Sequence, residues 1–208
     1  MKKIIIILFV FVGFFSCQVT PVKIRHDSFK DQHVITGKVW SPTLESGYSR
    51  ATIDLVKYFK GNSLSPVTIT TTCTENGGLF GVSGNKPGIS NFGILKINNK
   101  KFNIPIFNRI NKNVTVNRVN FNTGMNTSYT KRVHTGSFLI PVEVTNLIKP
   151  EDKVQIRLYN GTDSITISLV PLVVKEIVKF IKIKPDPQKK YPSIHEVQDD
   201  GDISKEDW

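Results

Sequence analysis

The amino-acid pattern predicts an all-β fold, a sandwich or an OB-like barrel of about 8–10 strands, followed by a short segment of helical spacing and a disordered acidic tail. Three observations lead there. Segments rich in Val, Ile, Thr and aromatic residues follow one another from His33 onward. Within them apolar residues recur at the two-residue period of a strand. Between them stand Gly, Asn and Pro, and no helical period intervenes before Pro171.

Residues 34–40 open the series with Val34, Ile35, Val39 and Trp40. Residues 51–58 alternate, with Ile53 and Leu55 on one face. Residues 67–73 alternate most cleanly and place Val67, Ile69, Thr71 and Cys73 together. A turn-rich passage follows, from Glu75-Asn76-Gly77-Gly78 to Ser83-Gly84-Asn85-Lys86-Pro87-Gly88, where glycine supplies positive φ. Further strands are expected at 92–97, 101–107, 114–121, 137–144, 153–158 and 164–169. Asn98-Asn99 and Asn160-Gly161 each fit a two-residue hairpin turn. Residues 172–183 break the pattern. Val173, Val174, Ile177, Phe180 and Ile181 stand at helical spacing behind Pro171, which suits a first helical position, whereas their β-branched content favours a strand. Both readings stand at this point. Beyond Lys184, three prolines and an acidic run read as disordered.

The chain begins with Lys2 and Lys3, an apolar run from Ile4 to Phe15, and Ser16-Cys17. The run is shorter than the ~20 apolar residues of a spanning helix, and the sequence turns polar by Lys23, Arg25, His26 and Asp27. A basic region, a short apolar stretch and a small residue make an export leader. This one resembles a bacterial lipoprotein signal peptide of the loose, spirochaete-like form, with Phe14 where such signals usually carry Leu. The resemblance implies cleavage after Ser16 and diacylation of Cys17, and two acyl chains are enough for stable anchoring. An ordinary secretory leader with Cys17 incidental is the alternative. Gln18, not Asp, follows the cysteine, which favours the outer over the inner membrane. The expected organisation is therefore a signal peptide at 1–16, a lipidated N-terminus and tether at 17–32, a β-domain at 33–184, and a disordered tail at 185–208. Roughly 190 residues remain after cleavage, enough for one domain or for two subdomains with a boundary near 98–112.

Charge is unevenly placed along a chain of formal net charge +11. Between Glu75 and Glu143 there is no acidic residue, while from Asp186 onward acids outnumber bases. Lys96, Lys100, Lys101, Arg109, Lys112, Arg118, Lys131 and Arg132 are the expected contact surface for an anionic surface or another envelope protein. A merely solvated Lys/Asn-rich surface is the other reading, and the acidic tail folding back on the basic body is a third. Nucleic acid is not an expected partner of an exported, tethered chain.

Residues 33–97 carry a second likeness. Val34, Gly37 and Val39, then Tyr48, Ala51 and Thr52, then Val56-Lys57-Tyr58-Phe59-Lys60-Gly61, then Val67-Thr68-Ile69-Thr70-Thr71 with Cys73, resemble the netrin/TIMP-type module. The resemblance implies an OB-like barrel and, as one function, inhibition or modulation of a protease. The family's zinc-ligating α-amine on an N-terminal cysteine does not carry over, since acylation of Cys17 would block it. If Cys17 is acylated, Cys73 also lacks a disulfide partner, because Cys17 is the only other cysteine.

Signals of chemistry are few. His26, His33, His134 and His195 have no His or Cys at metal-ligand spacing, and Asp199-Asp200-Gly201-Asp202 lacks the spaced acids and closing Glu of a calcium loop. No phosphate-binding loop, G-x-S-x-G or H-E-x-x-H is present. The lone Cys73 reads as a small buried hydrophobe. The expectation is a non-catalytic protein with a binding or structural role, without cofactor or metal. A subunit of an envelope assembly is the remaining alternative.

Overall fold

A computed structural model describes residues 19–41, 48–61, 65–75, 87–119, 126–161 and 163–193. The leader with Cys17, the glycine-rich passage at 76–86 and residues 194–208 lie outside them. The elements are β1 (Val19–Asp27), β2 (Gln32–Ser41), β3 (Tyr48–Phe59), β4 (Val67–Glu75), β5 (Ile89–Ile97), β6 (Lys100–Pro105), β7 (Phe107–Val119), β8 (Asn126–Ile140), α1 (Val142–Thr145), β9 (Val154–Asn160), β10 (Asp163–Ser168) and α2 (Pro171–Lys182). The fold is all-β. Six strands form one antiparallel sheet in the order β1-β2-β3-β4-β8-β7, and four form a second in the order β10-β9-β5-β6.

Alternation decides which face of the large sheet is apolar. Ile53 of β3 lies opposite Val39 of β2 and Thr71 of β4, and Leu55 lies opposite Ile69. Ile69 in turn lies opposite Phe138 of β8. All of these are buried, so one face of the sheet is continuous across its central strands. Leu95, Ile156, Leu158, Ile165 and Ile167 of the small sheet join them in a single core, together with Val173, Val174, Ile177 and Phe180 of α2. A boundary near 98–112 would cut through that core: β5 precedes that range, β6 lies within it and β8 follows it, and residues of all three belong to the one cluster.

Two glycines set how closely the layers approach. A Cβ on Gly136 of β8 would lie 2.9 Å from Ile106, and one on Gly93 of β5 would lie 3.2 Å from the same side chain and 2.8 Å from the Arg157 carbonyl. Ile106 is thus wedged between the two sheets at positions where only a hydrogen fits. At the other end of the large sheet, Phe180 of α2 lies over Gly37.

Of residues 172–183, all but the last are helical, and Ile183 caps the helix in an extended conformation. Pro171 begins α2 and its buried residues follow the three- and four-residue spacing, with Lys179 and Lys182 in the last turn near the negative end of the helix dipole. Burial of one apolar stripe outweighs the strand preference of its valines and isoleucines. The Asn98-Asn99 turn joins β5 to β6, with Asn98 at φ +52°. The Asn98 side-chain Nδ2 donates to Asp152, and its Oδ1 accepts from the Lys153 backbone amide. The turn expected at Asn160-Gly161 lies one residue later, because Asn160 pairs with Asp163.

Four expectations are corrected. The segment 17–32, read as a tether, contains β1, which is paired with β2 along its length. Strand 114–121 is part of a longer β7 that begins at Phe107, and the expected strand at 137–144 ends at Ile140, where Pro141 starts the helical turn α1. The disordered tail does not begin at 185. Pro185 is buried, the Pro192 carbonyl accepts the His26 amide at 2.8 Å, and Ser193 bridges to His26.

This C-terminal segment is held beside a pair of histidines. His26 of β1 and His33 of β2 are register partners with rings 5.1 Å apart, and Tyr191 meets His33 edge-on at 5.2 Å. Asp31 lies 3.5 Å from His26, and the Lys189 ammonium sits over Tyr191. Desolvation first, and His26 second, hold the His33 imidazole below its ordinary value of 6.5, against a smaller raising effect of Asp31. A base with a lowered pKa supports the docked form while neutral; that support is complete above its free value and is lost as pH falls through the docked value. Protection of the His26 amide from hydrogen exchange is therefore expected to drop between about pH 7.5 and about pH 5, after correction for the intrinsic exchange rate. The drop should vanish in His33→Gln, and equal protection at both pH values in the parent would refute it.

Candidate functional site

The eight basic residues expected to form one contact surface are divided by the fold. Lys96, Lys100 and Lys101 belong to the β5–β6 hairpin of the small sheet, where Lys96 and Lys101 are direct cross-strand partners. Arg109 and Lys112 are exposed on β7, the edge strand of the large sheet. Arg118 is also a β7 residue, paired with Thr127, and Lys131 of β8 lies opposite Val114 with its ammonium over the Tyr129 ring. Arg132 is corrected outright. Only 2 % exposed, it is not a surface residue at all.

Arg132 belongs instead to a buried polar cluster. Alternation along β8 places Arg132, His134, Gly136 and Phe138 on the face that carries the core, and register brings Glu75 of β4 opposite Arg132. The guanidinium Nη1 donates to Glu75 Oε2 at 3.3 Å, and Nε donates to the Asn113 side-chain oxygen of β7. Imidazole Nε2 of His134 is 3.6 Å from the same carboxylate oxygen, and Tyr48 of β3 meets the His134 ring edge-on. Cys73 is His134's strand partner and is wholly buried. Burial pushes its thiol up to about 12, which removes the thiolate needed for nucleophilic attack. The cluster is a charge-compensated knot in the sheet. Sequence reading missed it because Glu75 and Arg132 are far apart along the chain, and only strand register brings them together.

An open concave surface lies elsewhere. Between the start of β5 and the start of β7 runs a groove of about 980 Å³, with Ile89, Phe92, Ile106, Phe107, Arg109 and Ile110 in its wall. Its shape follows from the backbone. Asn108 adopts φ +47°, and the β7–β8 register shifts between Phe107 and Ile110, so the edge strand bulges there. The bulge brings Arg109 Nη1 to the Ile89 carbonyl at 3.2 Å and holds the guanidinium across the groove. Phe92 and Ile110 are each 52 % exposed, unusually open for side chains of this size, and Phe92 leans on Tyr159 at 5.1 Å between ring centroids. Among the described residues no carboxylate lines the groove. Apolar surface, several amides and one fixed positive charge make it a surface suited to a chain that is both apolar and anionic. Of the expected basic residues Arg109 lines it, and Lys112 follows on the same strand. The other signal for this site in the sequence was the acid-free interval around it.

Cys17 and the leader lie outside the described residues, as does the acidic run after Ser193. Among the described residues no group of three or more His, Cys, Asp or Glu side chains is arranged to hold a metal ion, and no helix is long and apolar enough to cross a membrane. No family model, curated protein or solved structure matches the chain.

Proposed function

We propose that the chain is an exported envelope protein, anchored by lipid on Cys17 to the outer membrane, whose role is binding and not catalysis, and that the groove beside the β7 edge holds an anionic partner. The leader, with its short apolar run to Phe15 followed by Ser16 and Cys17, supports the anchor. The observation that bears most on binding is the groove itself, with exposed Phe92 and Ile110, a guanidinium pinned across it, and no acid among the described residues of its wall. The burial of Cys73 speaks against a thiol nucleophile.

Heparin is a suitable polyanionic probe. Its binding to the protein should weaken steeply as salt contracts the Debye length from ~10 Å at 0.1 M to ~3 Å at 1 M. Paired reversal of Arg109 and Lys112 to Glu should lower the affinity by about tenfold or more, whereas reversal of Lys100 and Lys101 on the distant hairpin should change it little. Salt-insensitive binding, or equal loss in both variants, would remove the groove from the account. The anchor is tested separately, by globomycin sensitivity of processing combined with protease accessibility on intact cells.

A further inference from the structure

Lys57 is the least expected side chain in the core. It lies on the buried face of β3 between Leu55 and Phe59 and is 0 % exposed. Lysine is almost never fully buried unless paired with an acid. Among the described residues Lys57 forms no salt bridge. Its Nζ donates to the Ile181 carbonyl at 2.6 Å and the Ile183 carbonyl at 3.2 Å, at the end of α2. An ammonium has three donors, so one remains. Two carbonyls at a helix end supply about half a negative charge between them and the other terminal groups, which leaves most of the lysine's charge uncompensated.

The space beside it is a pocket of about 210 Å³. Lys182 and Lys184, both exposed, stand in its wall with Lys57, and Ser65 and Asn146 add a hydroxyl and an amide. Among the described residues no acidic side chain lines it. Three lysines, from β3, the end of α2 and the segment after it, thus converge on a partly enclosed space, with hydrogen-bond donors between them. Burial, and then the neighbouring Lys184, lower the Lys57 pKa, a cost that an anion in the pocket would reverse.

We propose that this pocket is a binding site for a small tetrahedral oxyanion, a phosphate group held by Lys57 at its base and by Lys182 and Lys184 at its mouth. The phosphate is free in solution or is the headgroup of an anionic phospholipid beside which the anchored protein would sit. The site is separate from the groove and does not depend on it.

Inorganic phosphate is titrated into the purified full chain at constant ionic strength, with chloride as the balancing ion. A saturable rise in Tm of about 3–5 °C is expected at ten times the dissociation constant. Lys184→Glu, on the exposed rim, should abolish the rise, and Lys57→Met should do the same if it folds. Arg109→Glu, in the groove, should leave it intact, which separates failure of this site from failure of the binding surface proposed above. A parallel titration compares short-chain phosphatidylglycerol with the matching phosphatidylcholine. A Lys184-dependent rise with phosphatidylglycerol alone assigns the site to a headgroup, and one with inorganic phosphate assigns it to the free anion. Equal Tm in phosphate and chloride, together with no Lys184-dependent effect of either lipid, overturns the proposal.

Discussion

Glu75→Ala is expected to destabilise the protein by about 3–5 kcal/mol, because it leaves the guanidinium of Arg132 in the interior without the carboxylate that faces it. The magnitude follows from burial. Arg132 is 2 % exposed and Glu75 12 %, so neither charge is well screened by water, and a surface pair of the same geometry would contribute under about 1 kcal/mol. Asn113 remains as a hydrogen-bond acceptor for Arg132 but brings no charge. His134, 3.6 Å from the same carboxylate, loses a neighbour as well. Urea denaturation measures the effect. Replacing both partners, Glu75→Leu with Arg132→Met, should recover most of the loss, since removal of the pair abolishes the desolvation cost together with the attraction. A loss under about 1 kcal/mol in Glu75→Ala would show that the guanidinium is compensated by other means.

Phe138→Ala should cost about 3–5 kcal/mol and lower Tm by roughly 10 °C. Phe138 is wholly buried on β8 opposite Ile69, in the layer between the two sheets. Truncation removes the contacts of a whole ring from a site bounded by strands on both sides, which have little freedom to collapse. The neighbouring Leu139 is 42 % exposed and points to the other face. Leu139→Ala should therefore change stability by no more than about 0.5 kcal/mol. Similar losses at both positions would mean that β8 is shifted by one residue against β4, since a single-residue slip exchanges the two faces.

How much of this was legible differs by element, for physical reasons. The run from Val67 to Cys73 could be oriented from its letters, because one face is buried and the other is not, and Val67, Ile69, Thr71 and Cys73 are all buried. Turn chemistry at Asn98-Asn99 was equally legible, since a two-residue hairpin needs positive φ and asparagine tolerates it. β1 was not. It is an edge strand with a register shift between Thr20 and Lys23, and Pro21, Val22 and Lys23 are all exposed. A strand exposed along consecutive residues has no burial alternation to read. β7, the opposite edge, hides its first half in the same way: Phe107, Asn108, Arg109 and Ile110 are all exposed around a bulge.

The candidate sites divide along the same line. The acid-free interval from Glu75 to Glu143 was plain in the sequence, and Arg109 in the groove lies within it. That interval did not reveal that Arg132 turns inward or that the hairpin lysines belong to another sheet. Side-chain direction in a strand depends on which neighbour it pairs with, and pairing partners here are separated by dozens of residues. Lys57 shows this most sharply. Alternation alone puts it on the apolar face with Ile53 and Leu55, yet what makes that tolerable is a pair of carbonyls more than a hundred residues later.

What the amino-acid sequence determined by itself was local: the strand period and the hairpin turn at Asn98-Asn99. These depend on neighbours two to four residues apart, which any reading of the chain can reach. Tertiary structure alone decided the rest: helix for residues 172–182, burial of Arg132 against Glu75, the pairing of His26 with His33 beside Tyr191, and the three lysines around one pocket. Each of those depends on loop closures that bring distant segments into register, and their net free energy belongs to the assembled core rather than to any one segment.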